Sequence, residues 1–442
     1  MSDPLNIGAS GLRAYSRALS TIGDNIANAQ TPGYARRTLE LVENQAASNM
    51  PLYRSSIKPG GVAIQGVTRS VDQWLIQDSR ISSGDAERSA TKLDWMNKVE
   101  AAMSDDSNGI ATGLGKLFNT ADLLTADPSN PTLRAQFLQS VDDVASGFRT
   151  AAGQLSSMAD GISSAAAGEV DSFNTNLNAL EQINIGLRKA RPGSTNEASL
   201  LDERDRLLDE LSSQAGVTAS FDSHGAVTLT ATATGDTLVG GGVVTPISVS
   251  AAADGRLSYS IGGSPFTTST GSLAGLAEAA NHVADQRAGL DTMSAQFANQ
   301  VNAAHQAGVD ANGNPGQPLF TGVGSAATLA AASLTTAQVA AADATSSNGN
   351  MLAIGGMRGS NDPESAWSAH MATQAQATAS ARAQDAAATT RRDAASAARS
   401  AVSEIDLDRE AADLLRFQQA YSAAARTIQV ARDTMQALLN AV

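Results

Sequence analysis

The stretch that decides the fold is the C-terminal run LDREAADLLRFQQAYSAAARTIQVARDTMQALLNAV, residues 407–442. Apolar side chains recur in it every seven residues, and a second row follows three residues after most of them. This spacing places both rows along one side of a helix, as at the a and d positions of a coiled coil. A single helix cannot bury such a row alone, so the stretch needs a partner. The members of this C-terminal seam are Leu407, Leu414, Phe417, Tyr421, Ile428, Met435 and Leu438.

The N-terminal end of the chain offers that partner. Its apolar residues fall at spacings of seven, three and four, which again marks one side of a helix. One seam by itself is typical of an ordinary core-facing helix, but two at opposite ends of one chain favour pairing between them. The members of this N-terminal seam are Leu5, Leu12, Tyr15, Leu19, Ile22 and Ile26.

A turn motif, Thr31-Pro32-Gly33-Tyr34, follows the N-terminal seam. Proline fixes φ at about −65° and glycine readily takes a positive φ, which are the requirements of the two central positions of a type II turn. The motif therefore predicts such a turn and places the end of the first helix close to Gln30.

Composition limits the classes of protein that the chain can belong to. The 442 residues predict two to four domains. A net charge of −14 and a pI near 4.7 argue against a nucleic acid or an anionic membrane surface as partner. The absence of cysteine excludes disulfides and thiol catalysis. No apolar run is long enough for membrane insertion and no secretory signal is evident, so composition alone predicts a cytoplasmic protein.

The interior of the chain predicts a mainly α protein with a smaller β part. Helical patterns cover residues 71–103 and 113–187, and the long Ala-rich run at 364–401 favours helix over disorder. Residues 217–270 show short alternating runs between glycine-containing turns, which predicts antiparallel hairpins. We expect paired N- and C-terminal coiled-coil helices (1–45 and 400–442), a central helical bundle (46–215 and 272–399) and a small antiparallel β domain (216–271).

The sequence contains no arrangement typical of catalysis or of cofactor or metal binding. Alternating charges in LLDERDRLLDELSSQ, residues 200–214, indicate solvated ion pairs along one helix rather than a charge relay. Asp310, Asn312 and Asn314 have the spacing of an EF-hand loop, but the glycine and the final glutamate of that loop are missing. The four histidines are far apart. We expect no enzyme activity, no cofactor and no metal.

Several segments resemble the axial proteins of bacterial flagella. The strongest is NIGASGLRAYSRALSTIGDNIANAQTPGYARR at residues 6–37, and the segments at 60–80, 200–212, 308–320 and 404–442 are similar to further family motifs. The most specific positions are Asn25, Asn28, Thr31, Pro32, Gly33 and Tyr34. The Thr-Pro-Gly-Tyr turn and the run LLRFQQAY resemble the hook-associated members, whereas hook proteins tend to have Val-Gly-Phe at the turn. The chain is short for that group, so its outer β domains are expected to be reduced.

The resemblance implies a structural subunit that forms a ring at the junction of hook and filament and is needed for filament assembly. Implied partners are the hook protein, a second junction protein and copies of the chain itself. A cytoplasmic export chaperone and the type III export apparatus are also implied, with an extracellular final location. We expect the chaperone to hold Leu414, Phe417, Tyr421 and Ile428.

A related hypothesis is that both seams have no use in a monomer, so that both ends stay unfolded until assembly. Alternative readings are a hook or distal-rod protein and, less favoured, a cytoplasmic coiled-coil signalling protein. An enzyme built on an axial-protein frame is remote.

Overall fold

The computed structural model describes residues 4–43, 60–104, 109–358 and 363–440. It confirms a mainly α fold with a smaller antiparallel β part. The run at 364–401 is one continuous helix, as its alanine content predicts. The α-helices of the described residues are α1 (Pro4–Ala27), α2 (Gln73–Ala102), α3 (Ile110–Ala126), α4 (Pro131–Lys189), α5 (Thr195–Gln214), α6 (Ser272–Ala307), α7 (Gly349–Gly355), α8 (Pro363–Ser403) and α9 (Leu407–Asn440).

The strands form small sheets in which neighbours are adjacent in sequence and antiparallel. The sheet orders are β1-β2, β3-β4-β5-β6, β7-β8-β9 and β10-β11. The strands are β1 (Arg37–Glu43), β2 (Val62–Arg69), β3 (Val217–Phe221), β4 (Val227–Ala231), β5 (Thr237–Gly240), β6 (Val243–Val244), β7 (Ile247–Ala251), β8 (Leu257–Ile261), β9 (Ser264–Phe266), β10 (Phe320–Thr321) and β11 (Ala330–Ala331).

The chain folds into two compact units. The first comprises Met1–Gly84, Phe173–Pro246 and Thr389–Val442, and the second comprises Asp85–Ser172 and Ile247–Ala388. The strands of residues 217–266 are thus divided between the units, with β3 to β6 in the first and β7 to β9 in the second. The division into an axial core, a helical middle and one β domain stays a proposal, and its boundary at 45/46 lies outside the described residues.

The second unit has an aromatic core where α3, α4 and α6 pack together. Phe118 and Phe148, from α3 and α4, are completely or almost completely buried. The ring of Phe297 on α6 lies 6.2 Å from that of Phe148 and 5.4 Å from that of Phe320. The three phenylalanines on helices come from apolar positions whose spacing places them on one face of each helix, and Phe320 comes from β10.

Helix α5 corrects the interpretation of LLDERDRLLDELSSQ as solvated ion pairs. Only Arg206 behaves so, since it pairs with the half-exposed Glu203 and Glu210. Asp202 and Asp205 are buried within the first unit. Two of their partners come from strands far away in the sequence, in the pairs Arg37–Asp202 at 2.6 Å, Arg69–Asp202 at 2.7 Å and Arg69–Asp205 at 2.7 Å. A third partner, Arg204, lies next to Asp205 on α5, and the two side chains are 2.7 Å apart.

The balance of burial and charge sets the ionisation of Asp205. Burial on its own raises the pKa of this carboxyl, but the guanidinium groups of Arg204, Arg69 and Arg80 together lower it below its usual value. The carboxylate is therefore ionised at neutral pH. The alternation of charges along the sequence could not predict this burial, because two of the three cations, Arg69 and Arg80, lie on β2 and α2.

The loop after α6 uses an acidic side chain to shape its backbone. The Asp310 carboxylate accepts hydrogen bonds from the backbone N–H groups of Asn312 at 2.8 Å and Asn314 at 2.9 Å. The bond from Asn314, with that from Asn312, lowers the pKa of Asp310. The polar spacing that resembles an EF-hand is thus an aspartate-centred turn. Among the described residues, no helix has the length and apolar character that a membrane crossing requires.

Candidate functional site

Helices α1 and α9 lie side by side and antiparallel in the first unit. Tyr15 and Phe417 place their ring centroids 6.2 Å apart. A Cβ atom built on Gly11 would lie 3.5 Å from the Cβ of Ala424. One chain therefore covers part of its own two seams, contrary to the expectation that neither seam is used within a monomer.

The N-terminal seam is only partly buried by this pairing. Ile22 is buried, Leu5, Leu12, Tyr15 and Leu19 are half-buried, and Ile26 is exposed. The most buried face of α1 instead consists of small residues, which let the two backbones approach closely. These are Gly8, Gly11, Ala14, Ala18 and Thr21. Sequence reasoning missed them because it followed large apolar side chains, although Gly11 and Ala18 share the seven-residue spacing.

The C-terminal seam is covered less completely. Leu414, Phe417 and Ile428 are half-buried, whereas Leu407, Tyr421 and Met435 are exposed. The side chain of Leu438 lies outside the described residues.

A second apolar surface on α9 was not part of the predicted seam. Leu415 is 58% exposed and Val430 is 65% exposed. At about 100° per residue, both lie on the side of α9 away from Phe417 and Ala424, which contact α1. We call Leu415 and Val430 the outer face of α9.

Polar side chains from both ends of the chain meet where α1 ends and α9 begins. Asn25 is 1% exposed and Glu410 is fully buried. The Asn25 Nδ2 group donates to Glu410 Oε2 at 3.0 Å, and Arg36 Nε donates to Glu410 Oε1 at 2.7 Å. We call Asn25, Arg36 and Glu410 the polar clasp. It joins positions that are 385 residues apart in the sequence.

Asn25 also organises the chain that leaves α1. Its Nδ2 donates to the Arg37 carbonyl at 2.9 Å, and its Oδ1 accepts from the Arg37 N–H at 3.0 Å. The Tyr34 hydroxyl donates to the same Oδ1 at 3.1 Å. Burial raises the pKa of Tyr34 to about 12, so this hydroxyl keeps its proton at neutral pH.

The motif turn has the predicted geometry. Gly33 has a φ of 80°, and the Tyr34 N–H donates to the Thr31 carbonyl at 3.2 Å, which confirms a type II turn. Helix α1 ends at Ala27 rather than close to Gln30. The reason is Asn28, whose side chain donates to the Asp24 carbonyl at 2.8 Å and accepts from the Thr31 hydroxyl at 3.2 Å.

Comparison with known families matches both ends and the middle of the chain. Residues 5–34 match the family described as flagella basal body rod protein. Residues 399–441 match the C-terminal family of the flagellar basal body rod FlgEFG proteins. Residues 96–320 match the helical domain of flagellar hook-associated protein FlgK.

The two terminal matches define the class, which is that of flagellar rod- and hook-type proteins with matching end segments. The middle match covers more than half of the chain. The chain belongs to the flagellar hook-associated protein FlgK family.

Individual relatives agree with the family assignment. The chain is 28% identical over 334 residues to flagellar hook-associated protein 1 of Salmonella typhimurium, covering 73% of this chain and 60% of that protein. Identity to the Escherichia coli protein of the same name is 26% over 333 residues, with 72% and 60% covered. For Bacillus subtilis it is 25% over 348 residues, with 70% and 68% covered. The chain thus spans about 60% of the length of the Salmonella and Escherichia relatives.

A solved structure is also similar. The flagellar hook junction protein FlgK from Burkholderia pseudomallei superposes with a TM-score of 0.49 and 22% sequence identity. The superposition covers 55% of this chain and 46% of that one.

Proposed function

We propose that this chain is a structural subunit of the flagellum, placed in a ring at the junction of hook and filament, where filament assembly needs it. The observation that carries the proposal is the apolar surface of α9 that α1 leaves uncovered. Most of the surface of Leu415 and Val430 is exposed in a single chain, whereas a neighbouring copy would bury it. No catalytic role is proposed.

Packing between subunits would use both sides of α9. On one side, the half-buried Leu414 and Ile428 keep part of their surface free while they face α1. On the other side lies the outer face. Fully burying one leucine or valine side chain contributes about 1.5–3 kcal/mol, so a few such contacts repeated around a ring would hold subunits together.

The export chaperone is proposed to hold Leu414, Phe417, Tyr421 and Ile428 before export. Two of these residues contact α1 in the folded chain. Phe417 lies beside Tyr15, and Ile428 lies beside Gly8. Chaperone binding and the pairing of α1 with α9 would therefore exclude each other, and release of the chaperone would precede pairing.

The remaining partners follow from family membership. We propose that the hook protein lies on one side of the ring and a second junction protein on the other. The type III export apparatus would deliver the subunit to an extracellular location. The chain would be synthesised in the cytoplasm and would not insert into a membrane or bind nucleic acid.

The test is a deletion strain examined by electron microscopy. We expect deletion to leave hooks without filaments, and a plasmid copy of the chain to restore both filaments and swimming. A strain that lacks hooks altogether would favour the alternative of a hook or distal-rod protein. A strain with normal filaments would contradict both readings and favour the cytoplasmic signalling protein.

A further inference from the structure

The contacts between α1 and α9 are spaced by whole heptads. Gly11 lies beside Ala424. Fourteen residues later on α1 is Asn25, and fourteen residues earlier on α9 is its hydrogen-bond partner Glu410. The two contact points therefore define a single antiparallel register, in which residue numbers increase along α1 as they decrease along α9.

A seam with this repeat admits more than one register. A slip of seven residues moves one helix along the other by about 10 Å and again brings equivalent positions of the seven-residue repeat opposite each other. In one direction the slip brings Gly11 opposite Ala431, which is as small as Ala424, so the close approach of the two backbones is kept. In the other direction it brings Gly11 opposite Phe417, whose side chain is too large for that approach. Apolar packing at Gly11 thus distinguishes poorly between the observed register and the first of these two slips.

The polar clasp does distinguish them. The slip that brings Gly11 opposite Phe417 would place Glu410 beside Ala18, whose side chain has no hydrogen-bond donor. A slip in the other direction would place Asn25 beside Phe417. Either slip separates Asn25 from Glu410, and a buried polar group without its partner is strongly disfavoured.

We propose that the polar clasp is the register-determining element of the terminal helix pair. Asn25 and Glu410 act as positioning residues that make one heptad register of α1 against α9 more favourable than its neighbours. A buried polar residue within an apolar helix seam is known to specify register at some cost in stability. The inference concerns the fold of the single chain and does not depend on the proposed flagellar role.

Engineered disulfides in the purified chain report which register the two helices adopt. The natural sequence has no cysteine, so only the introduced pair can form a disulfide within the chain. Gly11→Cys with Ala424→Cys reports the observed register, since the two Cβ positions are 3.5 Å apart. Gly11→Cys with Ala431→Cys and Gly11→Cys with Phe417→Cys report the two slipped registers. Each pair is oxidised at low protein concentration with and without Glu410→Leu, and intramolecular product is quantified on non-reducing gels.

With Glu410 intact, we expect the observed-register pair to oxidise almost completely and the slipped pairs to remain mostly reduced. With Glu410→Leu, the observed-register yield should fall and at least one slipped pair should gain more than about threefold. Arg36 keeps Asp413, at 3.4 Å, as a partner in this variant. Asp408→Leu is the matched control, since it removes an exposed carboxylate from the same helical turn and should leave all three yields unchanged.

Slipped yields within about threefold of those with Glu410 intact, in a Glu410→Leu chain that keeps its helical circular dichroism, would overturn the proposal. If Glu410→Leu loses that signal, the same pairs are oxidised in Glu410→Ala. This variant removes the buried carboxylate and introduces no larger side chain. A slipped yield that rises above about threefold there supports the proposal, and a smaller change overturns it.

Discussion

At Gly8, the backbone of α1 lies directly against α9. A Cβ atom at this position would be 2.6 Å from Ile428 Cγ1 and 3.4 Å from the Ala424 carbonyl oxygen. The close approach explains why small residues, rather than the larger residues of the N-terminal seam, form the most buried face of α1. Glycine in a helix interior lowers stability relative to alanine. At this position the missing Cβ leaves room for the Ile428 side chain, which offsets that loss.

Replacing Gly8 should therefore separate the two helices. We expect Gly8→Leu to destabilise the pair by about 1–3 kcal/mol, because the new side chain overpacks a filled interface. The measurement is the protection of α1 amides in hydrogen exchange followed by mass spectrometry. Gly23→Ala is the control, because a Cβ there meets nothing within 4 Å and should leave protection unchanged or slightly raised. Equal protection in wild type and Gly8→Leu would show that the helices tolerate a larger spacing.

At the scale of single elements, His305 fastens the end of α6 to two later segments. Its ring is fully buried. Its Nε2 accepts from the Ala340 N–H at 2.9 Å, so Nδ1 carries the proton that faces the Gln317 carbonyl. Burial lowers the pKa of His305, and the bond to Gln317 offsets only part of that change.

This environment predicts a loss of stability in mild acid. The folded chain binds the His305 proton more weakly than the unfolded chain does. The neutral His305 ring therefore makes its full contribution to the free energy of unfolding above the unfolded pKa of about 6.5. This contribution is lost as the pH falls below that value, at up to about 1.4 kcal/mol per pH unit. We expect His305→Gln to be less stable at pH 7.5 but to lose less stability on acidification to pH 5.

The measurement is urea unfolding of the wild type and of His305→Gln, followed by tryptophan fluorescence at several pH values between 7.5 and 5. His224→Gln is the control, because His224 is exposed in a turn and its replacement should leave the pH dependence as in the wild type. Identical pH dependence in the wild type and His305→Gln would contradict the claim that His305 causes this loss of stability in mild acid.

The elements that local chemistry determines were predictable from the sequence. The proline and glycine of Thr31–Tyr34 require a type II turn whatever surrounds them, and alanine content sets the long helix α8. The pairing of β1 with β2 has an irregularity at Gly66, since Glu40 pairs with Gly66 whereas Leu41 pairs with Ile64. Gly66 is needed there because a Cβ would lie 2.8 Å from the Cα of Gly193.

The candidate site was only partly predictable, because its polar contacts join distant positions. The seams predicted the two helices but not the most buried face of α1, which consists of small residues. Nothing near Glu410 in the sequence indicates that its partners are Asn25 and Arg36. The same holds for Asp205, two of whose cations, Arg69 and Arg80, come from other parts of the chain. Such contacts depend on the tertiary fold, which periodicity does not encode.

At the scale of the whole molecule, charge is distributed unevenly. Helix α9 contains four basic and four acidic residues, so the net charge of −14 is carried by the rest of the chain. Repulsion between copies would therefore act mainly through other surfaces and would not oppose contact along α9. An apolar outer face on a helix without net charge is suited to burial against a neighbour.

The central claim, that neighbouring subunits cover α9, is tested most directly by the substitution Val430→Glu on its outer face. The variant and its neighbour Gln429→Glu are expressed in the deletion strain. The control adds the same charge at an exposed position on the same side of α9 but removes no apolar side chain. Filaments are counted by electron microscopy, and circular dichroism of the purified chains verifies folding. We expect Gln429→Glu to restore filaments and Val430→Glu, though folded, to leave bare hooks. Normal filament numbers with folded Val430→Glu would contradict the account.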